Sequence, residues 1–108
     1  MEPIDFNGLD TVVHGPIRLG ILTALQVDGG LDFSTLKRRL DAADGSLNLH
    51  LGKLEECGYV TSKKAFVGLR PKTTYKITSG GRKALASYLE NMGNLIQYVQ
   101  SASSSGNE

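Results

Sequence analysis

The segment DGSLNLHLGKLEECGYVTSKKAFVGLRPKTTYKIT, residues 44–78, contains the change of period that decides the architecture. Leu47, Leu51 and Leu54 recur at i, i+4 and i+7, the stripe of a helix with one buried side. Asp44 stands where an N-cap belongs, and Gly58 stands where a glycine in the left-handed conformation would close the helix after Cys57. Beyond Gly58 the pattern turns extended. Tyr59–Phe66 is one strand candidate, and Thr73–Thr78, with Tyr75 and Ile77 alternating with polar residues, is a second. Val67–Lys72 between them contains Gly68 and Pro71 and reads as a loop, so the pair predicts a hairpin with a basic tip.

Working outward, Ser34 is a good N-cap for a helix over Thr35–Leu40 with Leu36 and Leu40 inward, and Asp41-Ala42-Ala43 is a tight connection. Leu31-Asp32-Phe33 has room only for a strand stub. Pro16 suits the first position of a helix carrying Ile17, Ile21, Leu22 and Leu25 and ending near Val27, where Asp28-Gly29-Gly30 stops it. Leu9, Val12 and Val13 suggest a short helix before His14. Thr78 or Ser79 caps a long helix from about Gly81 to Gln100. The predicted fold class is mainly α with a small β-hairpin (α+β). Two helices joined by a short turn and followed at once by a hairpin make a winged helix-turn-helix. The expected organisation is a flexible N-terminus (1–8), the winged domain (9–78), a C-terminal dimerisation helix (79–100) and a Ser-rich disordered tail (101–108).

A chain of 108 residues that is 40% apolar suits one domain with one core. Its net charge of +1 hides an uneven distribution. Ser34–Lys83 holds eleven basic residues against four acidic ones, a net +7, while the remainder holds Arg18 against seven acids, a net −6. A basic middle in an acidic chain implies a face that meets a polyanion. The single cysteine excludes a disulfide framework and a zinc ribbon, so no metal and no cofactor are expected. The absence of a leader or a long apolar run suggests a cytoplasmic protein away from membranes. No nucleophile–base grouping, phosphate-cradling glycine loop or carboxylate pair occurs, which argues against an enzyme.

On a helical wheel, Gly45, Leu49, Gly52, Lys53 and Glu56 point away from the leucine stripe, with Ser46, Asn48 and His50 on the flanks. A face this small and weakly charged suits a helix pressed into a major groove. Gly45, Ser46, Asn48, Leu49, His50 and Lys53 are therefore the candidate readers of base edges. Lys37, Arg38 and Arg39 fall on the preceding helix, which in this motif crosses the DNA backbone. Lys63, Lys64, Arg70 and Lys72 crowd the hairpin. In the last helix Leu85, Met92 and Val99 lie seven apart, as do Tyr88 and Leu95, and Leu89 and Ile96 widen the seam. With Leu9, Val12 and Val13 these residues predict a homodimer interface.

The stretch Leu31–Leu89 resembles the small stand-alone winged-helix regulators related to the MarR and ArsR repressors. The resemblance rests on His14-Gly15-Pro16-Ile17-Arg18-Leu19, on Asp44–Leu51, on Leu54-Glu55-Glu56-Cys57-Gly58-Tyr59-Val60, and on Arg70–Tyr75 followed by Thr78-Ser79-Gly80-Gly81-Arg82. It implies a homodimeric regulator binding double-stranded DNA, with Ser46–Lys53 and the wing on DNA and the terminal helices in the dimer. The cysteine-rich motif of the metal-sensing branch is absent. The leading expectation is a repressor. The alternatives are a winged-helix protein–protein module, whose recognition helix would be acidic or apolar, and a binder of structured RNA, which also fits a basic face. The sequence names no effector.

Overall fold

A computed structural model describes residues 10–106 of the chain. Leu9 and the expected flexible N-terminus lie outside the described residues, as do 107 and 108. The elements are α1 (Pro16–Asp28), β1 (Leu31–Asp32), α2 (Phe33–Leu40), α3 (Asp44–Glu56), β2 (Val60–Val67), β3 (Arg70–Ile77) and α4 (Ser79–Gly106). The strands form one antiparallel sheet in the order β1-β3-β2, with Leu31 opposite Tyr75 and Val60 opposite Ile77.

The core forms where the stripes converge. Ile21, Leu22 and Leu25 of α1, Leu36 of α2, Leu47, Leu51 and Leu54 of α3, Val60, Tyr75 and Ile77 of the sheet, and Leu85 and Tyr88 of α4 make one buried cluster. Each fully buried leucine contributes about 1.5–3 kcal/mol from removing its side chain from water. The architecture expected from the sequence is the one observed. It comprises four helices and a small sheet, with α4 extending the molecule to 67 × 24 × 22 Å.

Several local expectations are corrected. Thr11-Val12-Val13 is a hydrogen-bonded turn and not a helix. The Asp10 carboxylate accepts the Val12 N–H at 2.8 Å, and the backbone takes a positive φ of 146 at Gly15 before Pro16 can start α1. The cap of α2 is Asp32, not Ser34; its carboxylate accepts the Thr35 N–H at 3.0 Å. Pairing of Leu31 and Asp32 with β3 fixes the chain direction two residues earlier, so Phe33 and Ser34 are already helical. Asp44 lies inside the first turn of α3 after an uncapped Ala43. Gly58 does adopt the left-handed conformation (φ 79). The Gly58 N–H donates to Glu55 and that of Tyr59 to Leu54, the paired bonds of a Schellman closure.

The hairpin is longer than expected and its loop shorter. Arg70-Pro71-Lys72 belongs to β3, and only Gly68 and Leu69 turn the chain. Gly68 at φ 66, with a residue of negative φ after it, fits the type II′ turn that matches the twist of a two-residue hairpin. Pro71 is tolerated because the ladder bonds alternate. Thr78 N donates to Tyr59 O, which makes Phe66–Pro71 a pair that exchanges no backbone bond. At the other end, α4 continues to Gly106, into the Ser-rich segment expected to be a disordered tail. No proline or glycine interrupts it after Gly93, and adding a residue to an existing helix costs little.

Val13, Leu85 and Tyr88, expected in the dimer seam, are buried in the protomer's own core. The heptad period is a property of the helix face alone, and in its first turns that face is satisfied by α1 and β3.

Gly81 marks the closest approach at any described glycine, since a Cβ there would overlap the Tyr59 carbonyl and the Ile77 side chain. Gly93, farther along α4, would meet nothing within 4 Å. Gly93→Ala should therefore stabilise the protein by about 1 kcal/mol through helix propensity alone. Gly81→Ala should lose at least that amount despite the same gain. Urea unfolding of both variants reads the difference, and equal midpoints would contradict the close approach.

Candidate nucleic-acid interface

The local chemistry of α2 and α3 sets out one side of the molecule. Lys37, Arg38 and Arg39 occupy the last turn of α2, where the negative end of the helix dipole favours cations. Their partners differ. Lys37 Nζ lies 2.7 Å from the Asp44 carboxylate, joining the two helices across the turn. Arg39 is drawn to Asp28 at the end of α1. Arg38 reaches only the Thr35 hydroxyl, at 3.4 Å.

On α3 the buried stripe leaves Gly45, Asn48, Leu49 and Lys53 exposed, with Leu49 60% accessible. A Cβ at Gly45 or Gly52 would meet nothing within 4 Å, so packing within the chain does not demand the small residues of this face. Ser46 is half-buried. His50 is also half-buried, and its Nδ1 accepts a 3.0 Å hydrogen bond from Arg18 Nε. That bond leaves the N–H of the neutral imidazole on Nε2. Arg18, the one basic residue outside the basic segment, thus fixes the ring of a residue on the recognition helix. No sequence spacing connects positions 18 and 50.

The hairpin supplies the other side. Its register puts Lys63, Arg70, Lys72 and Lys76 on the face away from the core, because the pairs Lys63–Thr74, Ala65–Lys72 and Val67–Arg70 alternate with those that point inward. Lys64 shares the inward-facing set with Phe66 and Pro71, beyond the reach of the core. Lys76 was not among the residues expected from the sequence; the alternation of β3 was the available signal. Among the described residues, Lys72 alone of these cations has a carboxylate within 4 Å, Asp32 at 3.8 Å.

Between the two sides runs an open groove of about 630 Å³. Its lining includes Phe33 and Ser34 at the start of α2, Asn48 of α3, and Arg70, Lys72 and Thr73 of the hairpin. The groove therefore brings Asn48, Arg70 and Lys72 together from three elements, while Arg39 and the α4 residues lie elsewhere. The Ser34 and Thr73 contributions were not legible in the sequence.

Two further contacts tie the turn before α1 to the base of the wing and to α4. The Tyr59 hydroxyl donates to the Asp10 carboxylate at 2.6 Å, and His14 Nδ1 shares a 2.9 Å hydrogen bond with the Tyr88 hydroxyl. The bond to Asp10, with some burial, pushes the Tyr59 phenol up to about 12. Burial works against ionisation of Asp10, but the Tyr59 hydroxyl and the Val12 and Val13 N–H groups outweigh it and lower its pKa.

The Winged helix DNA-binding domain family matches residues 17–96, which span all but the last turns of this frame. The chain belongs to that family. It is 37% identical over 89 residues to an uncharacterised protein of Methanocaldococcus jannaschii, a match covering 82% of this chain and 97% of the other. Among solved structures, a transcriptional regulator homologue from Pyrococcus horikoshii OT3 superposes with a TM-score of 0.76 at 30% identity, over 82% of this chain and 87% of that one. A MarR-family regulator from Enterococcus faecalis V583 shares the fold, with a TM-score of 0.68 at 23% identity over 87% of this chain and 84% of its own. ArsR-family structure also lies among these neighbours. The winged-helix family is one of DNA-binding regulators and not of enzymes. No helix among the described residues is long and apolar enough to cross a membrane.

The Asp32 cap bridges the winged helix's α2 and wing, and it titrates. Its hydrogen bonds from Thr35, with a smaller attraction from Lys72, hold its pKa below the ordinary carboxylate value. A depressed pKa stabilises the fold above the unfolded value near 4, and that stability is lost as pH falls through the folded value. Asp32→Ala should cost about 1 kcal/mol at neutral pH. Asp32→Asn, an equally good cap, should match wild type there and surpass it at about pH 3. Urea melts at the two pH values test this, and an Asn variant that weakens in parallel with wild type contradicts it.

Proposed function

We propose that the chain is a homodimeric, sequence-specific binder of double-stranded DNA that represses transcription. The observation that carries this reading is the groove where Asn48 of the recognition helix faces the cationic hairpin across the start of α2. Gly45, Leu49 and Gly52 keep the helix face low enough to approach base edges. Asn48 and Ser46 offer hydrogen-bonding groups, and Leu49 offers an apolar contact for a thymine methyl. Phosphates are the partners of Arg38, Lys53, Lys63, Lys64 and Arg70, none of which has a carboxylate within 4 Å among the described residues. Lys37 and Lys72 join them by exchanging a carboxylate for a phosphate. Cations this numerous beside so neutral a reading face divide the work, with affinity from the backbone contacts and sequence choice from α3.

Dimerisation rests on the outer half of α4. Ile96 is 51% and Val99 56% exposed, Leu89 continues the same apolar side, and Met92 and Leu95 are half-covered. Pairing this surface with a second copy buries it and presents two recognition helices to major grooves about 34 Å apart or a multiple of that. A dimer clamped over a promoter blocks the polymerase, and repression is the role proposed for it. The transcriptional regulator homologue of Pyrococcus horikoshii, at 30% identity, supports a regulatory role in general terms.

Two measurements test the two halves. Lys53→Ala with Arg70→Ala should weaken binding to DNA fragments selected from a genomic pool and reduce the slope of log K against log salt by about 2. Unchanged affinity and slope would remove these residues from the interface. Ile96→Asp with Val99→Asp should give monomers in sedimentation with the winged domain still folded, because neither side chain belongs to the core. A persisting dimer would place the seam elsewhere.

A further inference from the structure

The outer end of the hairpin carries apolar side chains that nothing among the described residues covers. Leu69 is 98% exposed, Phe66 76% and Val67 64%, and none belongs to the core cluster. Exposed apolar groups at the end of a hairpin invite self-association, so their presence requires a partner. Two features limit what that partner is. The tip is narrow and stiff: a two-residue turn at Gly68-Leu69, with Phe66 opposite Pro71 and Val67 opposite Arg70. It is also set in mainly positive surroundings, with Asp32 beside Lys72 the exception. Lys63, Lys64, Arg70 and Lys72 lie within a few residues, and no acidic residue occurs between Glu56 and Glu90. A second copy of the same wing would be repelled. A polyanion with an apolar interior is attracted to both features, and duplex DNA opened between base pairs is such a partner.

Resting on the DNA-binding reading above, we propose that the wing tip is an apolar wedge for the DNA minor groove. Leu69, flanked by Phe66 on one face of the hairpin and Val67 on the other, enters the groove beside the recognition site and partly unstacks a base step, while Arg70 and Lys72 hold the phosphates. Wedges of this kind bend the duplex toward the major groove. The expected specificity follows from DNA mechanics. TA steps kink easily, whereas A-tracts are stiff with a narrow groove that attracts an inserted arginine. A leucine wedge favours flanks rich in TA steps, and an arginine finger alone favours A-tracts.

The test uses the full chain and two end-labelled duplexes of about 30 base pairs, one of alternating TA steps and one carrying A-tracts. Affinity is measured by anisotropy, and bending by energy transfer between the ends. Wild type should bend the alternating duplex and bind it about tenfold more tightly than the A-tract, as burial of most of a leucine side chain implies. Leu69→Ser should abolish the bend and the preference at unchanged salt slope. Arg70→Ala should lower the slope by about 1 and keep the preference. A Leu69→Ser protein that still bends and discriminates overturns the wedge, as does a wild-type preference for A-tracts. Tip variants that change the sedimentation state and leave DNA bending intact overturn it in favour of a second copy. Failure of wild type to bind either duplex defeats the DNA-binding reading itself, an outcome distinct from binding without bending.

Discussion

The hydroxyl of Thr78 holds the ends of three elements together. It donates to the Gly58 carbonyl at 2.6 Å, just past the end of α3, and accepts the Gly81 N–H at 3.0 Å as the cap of α4. The backbone N–H of the same residue donates to the Tyr59 carbonyl and closes the base of the hairpin. The recognition helix, the wing and the long helix therefore leave from one point, and Gly81 lets α4 press against Tyr59 there. The angle between α3 and the wing sets the shape of the groove that Asn48, Arg70 and Lys72 share. A displacement of a few tenths of an ångström at this junction is magnified along a hairpin of about 27 Å, the length of eight extended residues.

The stripes of α1, α3 and the hairpin strands were legible because burial imposes a period, and the periods are strong. Leu47, Leu51 and Leu54 are all buried, as are Val60 and Ile77. Thr78 as a cap and Gly58 as a terminator were legible for a similar reason, since each answers a local hydrogen-bonding need. What escaped was decided at a distance. Asp32 takes the cap from Ser34 because β3 pairs with Leu31 and Asp32, more than forty positions away. Pro71 sits in a strand because a register set at the hairpin base puts it at a pair with no bond to lose. Leu85 and Tyr88 show the same limit: a heptad states which face of a helix is apolar and says nothing of which surface covers it.

The candidate interface was legible in its composition more than in its arrangement. The basic segment was visible as a net charge, yet the structure divides its members into groups that act differently. Lys37, Arg39 and Lys72 have carboxylate neighbours, and these exposed pairs are each worth little in water. Near a phosphate the balance shifts, because Asp44 and Asp32 would repel the same DNA that attracts their partners. Both acids are needed locally, Asp32 to cap α2 and Asp44 to favour the positive end of α3. A DNA interface on this side would thus accept two unfavourable charges in return for two correctly placed helices.

The small reading face of α3 has a matching consequence for rigidity. Gly45 and Gly52 weaken the helix by roughly 1 kcal/mol each relative to alanine, and neither is required by packing. The loss is offset from outside the helix. The Schellman closure fixes its last turn, the leucine stripe fixes its buried side, and Arg18 fixes His50 on its flank. Arg18 also donates to the Val12 carbonyl, and the adjoining Asp10 and His14 are tied to Tyr59 of the wing base and Tyr88 of α4. The turn before α1 is consequently the brace that keeps a glycine-weakened recognition helix in register with both the wing and the long helix. A helix face this bare of side chains depends on neighbours to position its backbone, and in this fold those neighbours are α1, the Lys37 pair from α2 and the first hairpin strand.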